Sequence, residues 1–168
     1  MKKTSKTFSQ LAASGLMISL FTLAIACKPA PAPTASFDLA AAKTEIEDAN
    51  KLFANLLSKD DSVGIATECY TADAKLMVSN MPVIEGRKNI QSAWSSFIKT
   101  GLKTGEFNTI EVWGNENALT EEGTFLFKSA DGKMAEKGKY LVLWKKEDGT
   151  WKLFRDCSNS DLPHTAAE

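Results

Sequence analysis

The hydrophobic period changes once along this chain, and that change limits what it can fold into. Before about residue 100 the apolar side chains recur every three or four positions. From Glu106 onward they alternate, and the turn dipeptides Gly114-Asn115, Asp131-Gly132 and Asp148-Gly149 fill the gaps. A stripe repeating near 3.6 residues buries as one face of a helix, whereas alternation at two gives a strand. Helices followed by strands predict an α+β fold.

Leu39, Ala42, Ile46, Ala49, Phe53 and Leu56 place a long amphipathic helix over residues 38–58, with Asp38 as its N-cap. Asp61 opens a second helix over 62–70, which ends in Thr71-Ala72-Asp73 and gives way to a short strand over 74–79. Asn80-Met81-Pro82 interrupts that strand before Val83-Ile84. Gly86 permits the turn into a third helix, striped by Ile90, Ala93, Trp94, Phe97 and Ile98, and Gly101 stands where a helix C-terminal glycine belongs. Four strands follow as an antiparallel meander, over 107–113, 118–129, 134–146 and 150–158, because Asp-Gly between β-rich runs favours hairpins.

The last two strands are apolar on both faces. Tyr140, Val142 and Trp144 point one way and Leu141 and Leu143 the other, and Trp151 and Leu153 oppose Phe154. A sheet wetted on one face would alternate apolar with polar. Both faces therefore call for cover, helices on one and a second copy on the other as a homodimer; the alternative is a monomer with an apolar outer face.

Residues 1–26 read as a signal peptide. Lys2, Lys3 and Lys6 make a basic start, and the uncharged stretch from Gly15 to Ala26 is shorter than the roughly 20 apolar residues of a membrane-spanning helix. Ala24-Ile25-Ala26-Cys27 resembles the lipobox of bacterial lipoproteins, which implies lipid on Cys27 and attachment to the cell envelope, facing the periplasm or the exterior. Cleavage after Ala26 without acylation would instead give a secreted protein. The Pro/Ala-rich residues 27–36 carry no core-forming side chains and suit an extended spacer. A globular domain over 37–161 and a tail over 162–168 complete the organisation.

Without residues 1–26 the chain keeps 17 basic and 21 acidic side chains, a net charge of −4. Nucleic-acid binding, which calls for a basic patch, is not expected. Cys69 and Cys157 either pair as a disulfide outside the cytoplasm or remain two small buried residues.

Tyr70-Thr71-Ala72-Asp73-Ala74 after the second helix, Glu85-Gly86-Arg87 with Ile90, Gly138-Lys139-Tyr140 through Trp144, Asp148-Gly149, Trp151-Lys152 and Arg155-Asp156 together resemble the SnoaL-like, ketosteroid-isomerase-like domains of the nuclear-transport-factor-2-like superfamily. The resemblance covers about residues 38–161. It implies a cone-shaped, strongly curved antiparallel sheet wrapped around three N-terminal helices, an apolar pocket at the wide end, and a homodimer packed through the sheets. In the ketosteroid isomerases a carboxylate base works with a Tyr and a protonated Asp; only Asp156, Tyr70 and Tyr140 approximate that trio here.

His164, the one histidine, lies in the tail, so histidine-based proton transfer and multi-histidine metal sites are not expected, and neither a metal nor a cofactor is implied. Nucleophile elbows, phosphate loops and dinucleotide turns are absent from the sequence. Asp156 is then the first catalytic candidate, followed by Tyr70 and Tyr140. A carboxylate in an apolar cavity can act as base or, protonated, as donor. It can equally accept from Ser158 or Asn159, or pair with Arg87. Tyr70, Met77, Trp94, Phe97 and Asp156 are the expected pocket lining. Asp73 fits a local turn, Glu121 and Glu122 must face opposite ways, and Lys145-Lys146-Glu147 reads as a solvated hairpin end. These residues predict an envelope lipoprotein that binds a small apolar or amphipathic molecule. The rivals are an isomerase, cyclase or dehydratase using Asp156 with a Tyr, and an interaction module working through its sheet face.

Overall fold

The computed structural model describes residues 36–163; the signal peptide, Cys27, most of the spacer and His164 lie outside them. Helix α1 spans Leu39–Ser58, and the Asp38 carboxylate accepts the Ala41 N–H at 3.0 Å. It buries Ala42, Ile46, Phe53, Leu56 and Leu57, while Leu39 at its start stays exposed. Helix α2, Ser62–Gly64, is capped by Asp61 and runs into a single π-helical turn, Ile65–Cys69.

Strand β1, Tyr70–Met77, begins four residues before the expected start, so Thr71-Ala72-Asp73 is strand and not a helix end. Tertiary partners overrule the local turn character: Arg87 donates to the carbonyls of Ala66 and Tyr70 at 3.1 and 2.8 Å, and the Ala72 N–H donates to Glu147 at 2.9 Å. A short β2, Ile84–Glu85, pairs with β1. Helix α3, Arg87–Lys99, starts at Gly86, whose φ of 79° favours glycine, and buries Ile90 and Trp94.

The remaining strands are β3 (Leu102–Asn115), β4 (Ala118–Ser129), β5 (Met134–Glu147) and β6 (Thr150–Ser160). They form the expected antiparallel meander, with β3 starting five residues early. The meander is part of a larger, open sheet in the order β2-β1-β6-β5-β4-β3. Strand β1 lies parallel to β6, with Leu76 opposite Asp156 and Met77 opposite Cys157. The sheet is therefore mixed, correcting the all-antiparallel expectation: β1 docks beside the last strand of the chain. The register shifts by one residue at Ile110 of β3, between Thr109 and Glu111, and at Phe154 of β6, between Leu153 and Arg155. Each such irregularity bends and twists its strand.

Helices α1 and α3 pack on one face of this sheet. Val112, Leu119, Phe125, Phe127, Tyr140, Val142, Trp144, Trp151 and Leu153 supply that inner face to a single core with both helices. Burying one such large side chain contributes about 1.5–3 kcal/mol. On the outer face Ile110, Trp113, Leu141 and Leu143 are exposed. Phe154 is half-buried there, with the Lys145 ammonium and the Arg155 guanidinium each 3.6 Å from its ring centroid.

Candidate functional site

Strand register sets out the site. Leu76 on β1 faces Asp156 on β6, Asp156 faces Val142 on β5, Val142 faces Glu121 on β4, and Glu121 faces Val112 on β3. The inner face thus carries two carboxylates on one transverse row, two strands apart, roughly 10 Å between their backbones.

Each carboxylate holds a tyrosine. The Tyr70 hydroxyl donates to Asp156 Oδ2 at 2.6 Å and accepts from the Trp94 indole N–H at 3.3 Å. Asp156 Oδ1 has no hydrogen-bond partner among the described residues. Tyr140 donates to Glu121 Oε1 at 2.7 Å; Asn50 Nδ2 and Thr109 Oγ1 reach the same oxygen at 2.8 and 2.7 Å, and the Trp144 indole N–H takes Oε2 at 3.0 Å. Glu121 is fully buried with all its contacts neutral. Gly123, opposite Tyr140, is what admits this arrangement: a Cβ there would lie 2.3 Å from the phenol's Cζ and oxygen.

Burial dominates the electrostatics. Desolvation pushes the Asp156 carboxyl up to about 6; the Tyr70 hydrogen bond opposes that, and the charge of Glu121 adds to it. Desolvation also raises Glu121, against four hydrogen bonds that favour its ionised form. Both phenols are pushed up by burial and then by their carboxylates, so they remain neutral donors.

In front of Asp156 lies a cavity of about 70 Å³, lined by Phe53, Trp94, Phe107, Phe125, Phe127 and Tyr140 together with aliphatic side chains, Asn50 and Ser158. Edge-to-face ring contacts narrow it, among them Phe53 with Trp94 at 4.9 Å and with Phe107 at 5.3 Å. It adjoins an outer hollow of about 340 Å³, and the two share Val78, Trp94, Phe125, Phe127 and Ser158. The inner space alone is smaller than ordinary ligand pockets of about 300–1,000 Å³; the outer hollow is of that size.

Of the expected lining, Asp156 and Trp94 border the inner cavity, and Tyr140 does as well. Tyr70 stands one hydrogen bond behind Asp156, and Phe97 borders the outer hollow. Met77 borders neither, because strand alternation turns it away from the face that Leu76 occupies. Asp156 receives nothing from Ser158, Asn159 or Arg87. Arg87 instead pairs with Glu147, which also binds Lys152 and the Ala72 N–H, so the 145–147 hairpin end is tied down on one side. Asp73 accepts from Thr71 at 3.0 Å, a local contact. Cys69 and Cys157 are free, correcting the possible disulfide: Tyr70, next to Cys69, sits opposite Leu153, while Cys157 lies four residues further along β6 and is exposed. Among the described residues no group of three His, Cys, Asp or Glu converges as a metal site, and no helix is long and apolar enough to cross a membrane.

Asn50 and Thr109 escaped sequence reasoning, and which of Glu121 and Glu122 points inward stayed open. For Glu121 a signal existed, since it shares strand parity with Leu119, Phe125 and Phe127; for Asn50 and Thr109 there was none.

No family model matches the sequence, and no curated protein is significantly similar to it. Solved structures do match. A Nostoc punctiforme protein of unknown function with a cystatin-like fold aligns with TM-score 0.63 and 20% identity over 73% of this chain and 92% of its own. A ketosteroid isomerase-like protein from Erwinia carotovora aligns with TM-score 0.59 and 19% identity over 71% and 96%. An NTF2-like protein with a cystatin-like fold from Novosphingobium aromaticivorans gives 0.62 and 13% over 73% and 84%. At such identities the likeness establishes the α+β, nuclear-transport-factor-2-like fold.

Proposed function

We propose that this nuclear-transport-factor-2-like fold serves to bind a small apolar or amphipathic molecule in front of Asp156, without turning it over. One observation carries the reading: both phenols that could polarise a substrate are committed to carboxylates, while the remaining Asp156 oxygen and six aromatic rings border open space. Fluorescence and thermal unfolding test it. Trp94 lines the cavity, so small amphipathic molecules are expected to change its emission and raise the unfolding temperature. Failure of every compound in a chemically diverse set at millimolar concentration rejects the reading.

The raised Asp156 carboxyl favours a second reading, proton transfer in an isomerase or lyase, because a base that titrates near 6 is well matched to neutral pH. There Asp156→Asn abolishes turnover with folding intact; in a binding protein no turnover exists to lose. The exposed Ile110, Trp113, Leu141 and Leu143 favour a homodimer or other partner contact through the outer sheet face, for which Leu141→Lys is expected to lower the solution mass. We also propose lipid attachment at Cys27 and a place in the cell envelope, supported by the sequence alone and tested by metabolic lipid labelling of the Cys27→Ser variant.

A further inference from the structure

We infer that the group this cavity receives is an organic ammonium ion, its cationic head seated among the aromatic rings against Asp156 Oδ1 and its apolar tail running out through the adjoining hollow. The inference rests on reading the cavity as a binding site and names the chemistry of its ligand.

Charge comes first. No Lys, Arg or His borders either the inner cavity or the outer hollow, whereas Asp156 borders the first, Glu136 borders the second, and Glu121 lies behind Tyr140. Ten ion pairs occur among the described residues, and neither Asp156 nor Glu121 takes part in any of them. A desolvated carboxylate without a cation is costly to keep, and an arriving cation relieves that cost. An anion would meet two acids at close range.

The lining supplies the second argument. Phe53, Trp94, Phe107, Phe125, Phe127 and Tyr140 surround a space that holds on the order of five water-sized groups. A ring-lined enclosure with a carboxylate is the chemistry that holds quaternary ammonium heads, through attraction to the ring quadrupoles. Met81, Phe97 and Leu102 in the outer hollow suit an alkyl tail. The titratable groups facing Asp156 are Tyr70, Glu121 and Tyr140, and none of them carries positive charge.

A matched pair of probes tests this in the purified protein. 6-(Trimethylammonio)hexan-1-ol and its neutral carbon isostere 7,7-dimethyloctan-1-ol have the same shape. The cation is expected to bind at least about tenfold more tightly near pH 7.5, and Asp156→Asn to erase that preference. In the unmodified protein its affinity should fall about tenfold by pH 5, because a permanently charged head cannot itself titrate and the carboxylate must. Equal or tighter binding of the isostere overturns the ammonium assignment and leaves the binding site standing. If neither probe alters Trp94 emission or the unfolding temperature, the ammonium assignment is likewise overturned, and the binding site falls with it only where the diverse compound set fails as well.

Discussion

A carboxylate with a phenol on one oxygen and open space at the other carries a stability cost that depends on pH. The Asp156 carboxyl stands near 6 folded against 3.8 in the open chain, so the folded state binds the extra proton between those values. By linkage, stability falls as pH rises through that window; the cost is absent below about 3.8 and complete above about 6, at roughly 2–3 kcal/mol. Asp156→Asn keeps an acceptor for Tyr70, and is expected to raise stability near pH 7 by about 1–2 kcal/mol and to flatten the decline, as urea unfolding at pH 5 and 7.5 would record. A second residue tests the partner carboxylate. Gly123→Ala drives its methyl into the Tyr140 phenol and is expected to cost about 3 kcal/mol. In a Tyr140→Phe background the cost should shrink, the non-additive result expected of two groups in one contact. The tilt of these side chains was only partly legible. Asp156 declared itself as the only acid of its strand, just behind Leu153 and Phe154. Glu121 did not, because its neighbour Glu122 is the same residue type and only strand parity separates them.

Among the elements, β1 owes its position to partners far away in sequence. Glu147, at the end of β5, accepts the Ala72 N–H and pairs with Arg87 at the start of α3 and with Lys152 on β6, tying four elements at one point. The backbone hydrogen bond is the main cause that holds its carboxyl down at about 2; desolvation opposes it, and the Arg87 and Lys152 contacts add to the lowering. Its stabilisation is present above the ordinary 4.5 and is lost as pH falls towards 2. With its side chain about a quarter exposed, about 1 kcal/mol is a fair scale after solvent screening. Glu147→Gln should therefore destabilise the protein at pH 7 and change little at pH 2.5, measured by chemical denaturation at both. This cluster also explains the misplaced start of β1. Tyr-Thr-Ala-Asp has turn character by itself, and only Arg87, Glu147 and β6, which no local pattern announces, make it a strand. Strand β4, with unambiguous alternation and turns at both ends, was legible to the residue.

For the molecule as a whole, the helical half, the strand half and their order were readable because hydrophobic period is a local signal. The parallel pairing of β1 with β6 was not, since it joins segments about eighty residues apart. The same pairing separates the two thiols and makes them chemically unlike. Cys69 is buried, and desolvation pushes it up to about 12, whereas Cys157 is exposed on the outer face. In a Cys27→Ser background, a thiol reagent at neutral pH is expected to modify Cys157 rapidly and Cys69 only as fast as the protein opens, with both rates read by mass spectrometry. Rapid modification of both would mean that the core around Cys69 is not closed.

The parallel pairing also sets an order of assembly. Strand β6 is the last of the strands in the chain, and Tyr70 has no acid to bind until it docks. The helices and the β3-β4-β5 ribbon can therefore collapse early, but the cavity gains its back wall only when β6 docks. Until β6 docks, β5 presents an open edge, and unpaired strand edges of this kind invite aggregation.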